Sequence, residues 1–304
     1  FTSFARLTYD EVAEVLTNTR GPQAKRRAEL LPHLLNLHHV FRARLRERSR
    51  RGAIDFETTE TQIICDDNGR IERIVPRTRN DAHRLIEEAM LAANVCSAEF
   101  IAQSEHASLY RVHQGPTAEK RQALQNQLRV LGLGLNVSDE PTPAEMQAIA
   151  VAVRDRPDAA QIHMLLLRSM QQAIYTATNA GHFGLAFEAY THFTSPIRRY
   201  PDLLVHRTIK AILSGKRYHI ERGLPLQPEP AVATRKGGRG AKPVGQEAQA
   251  WEGAGVHCSI NERRADDASR DVEAWLKTRY MRDHLGEEFA GTVSTVTSFG
   301  LFVQ

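Results

Sequence analysis

His182-Phe183-Gly184-Leu185-Ala186-Phe187-Glu188-Ala189-Tyr190-Thr191-His192-Phe193-Thr194-Ser195-Pro196-Ile197-Arg198-Arg199-Tyr200-Pro201-Asp202-Leu203-Leu204-Val205-His206-Arg207 is the stretch on which the reading of this 304-residue chain turns. It crowds histidines, arginines and aromatic rings among small residues, a density of hydrogen-bond donors that a core strand does not need. Ser195-Pro196 is a break, and Pro201 to Leu213 has a helical pattern, so Arg198-Arg199 stand at the mouth of a helix. Backbone N–H groups there, with two guanidiniums, can hold a phosphate. Ser195 is a weak nucleophile candidate, because no G-x-S-x-G surrounds it. His182, His192 and His206 lack a metal-ligand pattern such as H-E-x-x-H and read as structural.

The surrounding composition is that of a globular chain, 41% apolar and 25% charged, which excludes global disorder. No run of 18 apolar residues is present, and Phe1 to Asp10 carries no basic segment followed by an apolar one. The start is not a methionine, so the chain is expected to be cut from something longer. Cys65, Cys96 and Cys258 are odd in number and show no C-x-x-C spacing, which points to reduced thiols in a cytoplasmic protein. The net charge of +4 is unevenly spread: Arg20 to Arg51 carries ten Lys/Arg against Glu29 and Glu47. A polyanionic partner and a solvated helix face both fit that run.

Working outward, Pro32 to Arg48 reads as a helix with Leu34, Leu37, Phe41 and Leu45 as its core stripe and arginines on both rims. Ala53 to Ile64, the turn Asp66-Asp67-Asn68-Gly69 and Ile71 to Val75 read as a hairpin. Asn80 caps a helix to about Gln103, with Leu85, Ala89, Ala93, Cys96 and Phe100 inward and Glu87 and Glu88 off the stripe. Helices are expected after Thr117, from Pro143 to about Asp155, and from Asp158 to about Tyr175. Residues 214–250, rich in Gly and Pro with scattered cations, read as a flexible basic insertion. Asn261 to Leu285 reads as a helix with Ala265, Ala268, Val272, Trp275 and Arg279 on one face. Two strands around Ser298-Phe299-Gly300 read as a new β domain that continues beyond Gln304.

The 182–207 stretch resembles the most characteristic segment of the RNase II/RNase R family, whose catalytic unit is the RNB domain. Four more stretches are similar: Arg50-Arg51-Gly52-Ala53-Ile54-Asp55-Phe56, Asn80-Asp81-Ala82-His83-Arg84-Leu85-Ile86-Glu87-Glu88-Ala89-Met90, Leu109-Tyr110-Arg111-Val112-His113 and Glu262-Arg263-Arg264-Ala265-Asp266. The double arginine, Pro201-Asp202-Leu203 and the basic insertion resemble the bacterial RNase R branch of the family. The resemblance implies an α+β fold. Residues 1–286 would be the C-terminal part of the RNB domain, and 287–304 the truncated start of an OB-fold RNA-binding barrel. It implies a processive 3′-to-5′ exoribonuclease that hydrolyses single-stranded RNA, or structured RNA with a 3′ overhang, to nucleoside 5′-monophosphates. The family holds Mg²⁺ on a D-x-D-D aspartate cluster that belongs upstream of Ala5-Arg6-Leu7-Thr8-Tyr9 and is absent here, so no metal ligand is assigned and the chain alone is expected to be inactive. Asp266-Asp267 does not replace that cluster.

By the same resemblance, Arg198 stabilises charge on the phosphate being cleaved, Tyr9 lies near the scissile nucleotide, and Glu87 reads the terminal ribose. Phe56 clamps the last bases by stacking. Arg199 and Arg264 contact RNA, with structural ion pairs as the level alternative for both. A rival reading is a non-catalytic RNA-binding protein that keeps the channel, and a third is a protein-interaction scaffold.

Overall fold

The computed structural model describes residues 2–55, 61–76, 79–220, 245–291 and 293–303. Among them helices and short strands are mixed in an α+β arrangement: α1 Tyr9–Thr17, α2 Pro22–Arg26, α3 Leu31–Arg51, β1 Thr61–Cys65, β2 Ile71–Pro76, α4 Asp81–Gln103, β3 Tyr110–Val112, α5 Ala118–Val130, α6 Pro143–Ala152, α7 Ala159–Ser169, β4 Ile174–Thr176, α8 Tyr200–Leu213, α9 Gln246–Met281, β5 Val293–Thr297 and β6 Gly300–Val303. The strands pair antiparallel in three two-stranded sheets, β1-β2, β3-β4 and β5-β6.

Local chemistry sets the boundaries. Thr8 and Glu11 form a reciprocal capping box at α1, Asn80 accepts from His83 N–H at α4, and Thr142 caps α6 ahead of Pro143. Gly52 ends α3 at φ 73°, and a Cβ there would lie 2.6 Å from the Ala144 Cβ, so both backbone and packing require glycine. One core joins Leu124 and Leu128 of α5, Met146 and Ile149 of α6, and Ile162 and Leu166 of α7, with Ile54. A second gathers Leu109, Leu204 of α8, and Trp251 and Ala254 of α9.

Several expected faces turn out differently. The buried face of α4 is Ala82, Leu85, Glu88, Leu91, Asn94, Ser97, Ala98 and Ile101, so Glu88 is inside at 2% exposure while Ala89 and Cys96 face solvent. In α3, Phe41 is buried, Leu37 is largely exposed, and Arg48 leaves the rim for the interior because three carboxylates receive it. The helix expected to reach Tyr175 stops at Ser169, because Ile174–Thr176 is drawn out as β4 to pair with β3. Ala53 to Asp55 is not strand: Ile54 packs into the helical core, and the first described hairpin residue is Thr61.

Helix α9 starts at Gln246, inside the expected insertion, and residues 221–244 lie outside the described residues. Its buried part is Trp251 to Ser259. The expected stripe is solvent-facing, with Val272 57% and Trp275 59% exposed. The expected terminal hairpin forms, and Val296, Phe299, Leu301 and Val303 on it are exposed.

The first part of α9 lies directly on β4. A Cβ at Gly255 would stand 2.6 Å from the Tyr175 carbonyl oxygen, and Ser259 Oγ accepts the Tyr175 N–H at 2.9 Å while donating to Gly255 O at 2.8 Å. Helix propensity alone favours alanine over glycine by about 1 kcal/mol. Overpacking against backbone costs about 1–3 kcal/mol or more. Gly255→Ala is therefore expected to lower stability, read as a reduced urea midpoint of the purified chain; an unchanged or raised midpoint would contradict this packing.

Candidate functional site

Helix α4 presents one end of the site. Asn80 Oδ1 fixes the His83 ring (Nδ1 at 2.7 Å), and Asn80 Nδ2 donates to Asp10 at 3.4 Å. Tyr9, at the start of α1, stacks on His83 with centroids 4.0 Å apart and planes 17° apart, and is 44% exposed. His83 and Glu87 are four residues apart on α4, hence on the same side one turn apart. The structure thus brings Tyr9 beside the turn that carries Glu87, which no local periodicity foretold.

Glu87 is gripped at both oxygens. Arg48 Nη1 donates to Oε1 at 3.1 Å, and Arg79 closes on Oε2. The same Arg48 Nη1 donates to Glu88 Oε1 at 3.0 Å, and its Nη2 lies 3.4 Å from Asp55 Oδ1. Burial opposes the Arg48 charge, but Asp55, Glu88 and Glu87 around it raise its pKa above the usual arginine value.

Two turns further along, Asn94 reaches the 182–207 segment. Asn94 Nδ2 donates to Tyr190 Oη and its Oδ1 accepts from Phe193 N–H, both at 2.9 Å. Two turns of helix span about 10 Å, so α4 links the Glu87 end to this segment, as do Arg51 Nε on Leu185 O and Ile54 N–H on Gly184 O. Thr191 Oγ1 donates to Leu109 O at 2.6 Å, and Arg111 N–H donates to Tyr190 O at 2.8 Å, which lays the segment along β3.

The histidines are built into this frame. His113 Nδ1 accepts the Gly184 N–H at 2.9 Å and its Nε2 donates to Gln171 O at 2.8 Å, which fixes a neutral tautomer. His206 stacks on Phe193 at 4.1 Å and bonds its carbonyl at 2.8 Å. His182 Nδ1 accepts the Leu185 N–H at 3.3 Å, and a directional chain holds His192: His192 Nδ1–H to Tyr175 Oη at 2.8 Å, Tyr175 O–H to Glu262 Oε1 at 3.2 Å, and Arg111 Nη1 to Glu262 Oε2 at 2.6 Å. Burial, then Arg199 and Arg111, push His192 down to about 2; burial, then His113 and Arg111, push His182 down to about 3. Both rings are therefore neutral near neutral pH.

The adjacent arginines diverge. Asp202 has no exposure; its Oδ1 accepts Ser195 N–H at 2.8 Å and Arg199 Nη2 at 3.0 Å, with Arg199 Nε 2.9 Å from Oδ2. The structural ion pair is thus the arrangement found for Arg199. Arg198 is exposed and makes no side-chain hydrogen bond or ion pair among the described residues; the same holds for Arg264, on α9 two residues after Glu262. Phe56 lies outside the described residues. Sequence reasoning passed over Arg48, Glu88, Asn94 and Asp202. The available signal was that Glu88 and Asn94 share helical spacing with Leu85, Leu91, Ala98 and Ile101.

The family model described as the RNB domain matches residues 2–215. The chain belongs to the RNase II/RNase R family. Its relatives in that family include Ribonuclease R of Vibrio cholerae, 44% identical over 99% of this chain and 35% of that protein. The chain therefore spans about a third of the length of the curated relatives it matches. Mycoplasma genitalium RNase R in complex with ribose methylated single-stranded RNA superposes with a TM-score of 0.81 at 26% identity, covering 98% of this chain and 43% of that one. The same protein in complex with double-stranded RNA gives a TM-score of 0.81 at 25% identity, covering 98% and 49%.

Magnesium does not fit the side chains described in this RNase II/RNase R chain. Among the described residues no group of three or more His, Cys, Asp or Glu could hold a metal ion, and Asp266 and Asp267 lie on the exposed part of α9. Among the described residues no helix is long and apolar enough to cross a membrane.

The buried histidines set a pH dependence. In the unfolded chain a histidine takes up a proton near pH 6.5. In the folded chain His182 and His192 do so only near about 3 and about 2. Their contribution is fully present above pH 6.5 and declines as the pH falls below it, by up to about 1.4 kcal/mol per unit for each ring. The thermal midpoint of the chain should fall steadily from pH 6.5 to pH 5; a flat midpoint across that window would contradict neutral burial.

Proposed function

We propose that the chain is the greater part of the RNB catalytic domain of a cytoplasmic, processive, hydrolytic 3′-to-5′ exoribonuclease. Residues 1–286 would form that part, with a basic insertion at 214–250, and 287–304 would open an OB-fold RNA-binding barrel. The observation that carries this reading is the 44% identity, along 99% of the chain, to a protein named Ribonuclease R. RNase R structures described with single-stranded and double-stranded RNA support RNA as the partner. The finer substrate preference is for single-stranded RNA and structured RNA with a 3′ overhang, and the products are nucleoside 5′-monophosphates.

The aspartates that hold Mg²⁺ would lie outside this chain, and the metal would supply the activated water and charge neutralisation. This chain's part is to bind and orient. Arg198, exposed and uncommitted at the Ser195-Pro196 turn, would donate to the non-bridging oxygens of the phosphate as charge develops there. Arg199 would hold that turn through Asp202. Glu87 keeps lone pairs that its two arginines do not use and would accept from the terminal sugar hydroxyl, with the Tyr9 phenol beside it. Phe56 would stack on a terminal base, and Arg264 would meet backbone phosphate.

The purified chain, given excess Mg²⁺, should release no nucleoside monophosphates from a single-stranded oligomer, while the full-length protein should. In the full-length protein Arg198→Ala should lower kcat by about 10²–10³, with RNA affinity by gel shift little changed because other cations still hold the backbone. Magnesium-dependent release by the chain alone would sink the assignment of the metal site elsewhere. An inactive full-length protein that still binds RNA would establish the rival, a non-catalytic binder.

A further inference from the structure

Glu87 can read a sugar hydroxyl only if its carboxylate stays where the sugar arrives, and a half-exposed helix side chain does not stay put unaided. Here the fixing is done from beneath. Arg48, in the last turn of α3, is buried, and its guanidinium spans three carboxylates on two separate segments. Nη1 is shared between Glu87 Oε1 at 3.1 Å and Glu88 Oε1 at 3.0 Å, and Nη2 faces Asp55. Glu88 is completed by Arg44, whose Nε lies 3.8 Å from Oε2, and Glu87 by Arg79. Three cations thus face three anions, and of the two adjacent glutamates only Glu87 has substantial exposure, 37% of its side chain against 3% for Glu88. The Asp55 backbone is held by its N–H donating to Gln147 Oε1 at 2.9 Å, and its side chain is 38% exposed. The fork is therefore anchored on the buried Glu88 carboxylate, with Asp55 on its other arm, and presents Glu87.

We infer that Arg48 is a positioning residue that sets the Glu87 carboxylate for the 3′-terminal sugar, so that discrimination of ribose from deoxyribose depends on its forked guanidinium and not on its charge alone. This rests on the sugar-reading role proposed above for Glu87. A lysine keeps the charge, but its single ammonium cannot reproduce a planar fork that engages three carboxylates at once. Glu87 would then turn toward Arg79 and solvent. A site built around a hydroxyl loses its preference when the group that meets the hydroxyl moves away.

The test uses the full-length enzyme and two oligomers that differ only in the 2′ position of the 3′-terminal sugar. Its readout is the ratio of kcat/KM on the ribo oligomer to that on the deoxy oligomer. Arg48→Lys should lower this ratio by at least about tenfold, mainly through loss on the ribo substrate. Glu87→Gln should lower it similarly, and the double variant no further, since both act through one carboxylate. Gly255→Ala, which disturbs packing away from this cluster, should lower the melting temperature but not the ratio. If Arg48→Lys melts well below wild type, the ratio is read instead in Arg48→Gln combined with Glu88→Gln, which removes a buried charge together with its buried partner; the same loss is expected. Equal losses on both substrates would make Arg48 merely structural and overturn the inference. A ratio that responds to Glu87→Gln but not to the Arg48 variants would overturn it while leaving the sugar-reading role intact. A ratio unmoved by Glu87→Gln would remove that role and the inference with it.

Discussion

The Asp202 carboxylate sits wholly out of solvent, with Ser195 N–H on one oxygen and the Arg199 guanidinium across both. This contact ties the Ser195-Pro196 turn to the first turn of α8, whose Leu204 is locked into a core with Leu109, Trp251 and Ala254. Removing one partner of such a buried pair costs about 3–5 kcal/mol, because the other charge is left unmatched in a poor dielectric. The constraint also divides two neighbouring identical residues. Arg199 is consumed in holding the turn, and Arg198, one position earlier, is left exposed. A basic pair in the sequence becomes one structural and one available cation.

The rest of the site is carried by α4. Its first turns receive Tyr9 through His83 and hold Glu87 over the Arg48 fork, and Asn94 two turns later secures Tyr190 and Phe193. Behind it, β4 is gripped by α9 at Gly255 and Ser259, which brings Tyr175 and Glu262 together. The chain of hydrogen bonds from His192 to Arg111 then stiffens the back of the segment that ends at Arg198. The His192, Tyr175, Glu262 and Arg111 side chains are paired with one another, and Arg198 and Arg264 face outward, where an anionic chain would meet them.

Caps and turns were legible in the sequence because they act over three or four residues: Asn80, the helix start at Pro143 and the Asp66 to Gly69 turn behave as read. Apolar periodicity was less dependable. On α4 the buried face contains Glu88, Asn94 and Ser97, which a search for hydrophobic residues skips, so the stripe was placed about one residue off. On the second half of α9 a convincing stripe, with Val272 and Trp275, faces solvent. Residues 174–176, Ile-Tyr-Thr, carry strand-favouring side chains that the helical reading overran, and they pair with β3. The motif residues Tyr9, Glu87 and Arg198 were singled out by resemblance. The residues that hold them, Arg48, Asn94 and Asp202, act across 39 positions, 96 positions and a buried helix start. No local pattern encodes the first two distances, whereas Asp202 reaches only three and seven positions back, to Arg199 and Ser195.

The division of labour between Arg198 and Arg199 is tested most directly by a crystal structure of the chain bound to a single-stranded oligoribonucleotide. The expected result places a backbone phosphate within hydrogen-bonding distance of the Arg198 guanidinium while Arg199 remains on Asp202. An Arg199 that has left Asp202 for the phosphate, or an Arg198 with no phosphate near it, would contradict the assignment.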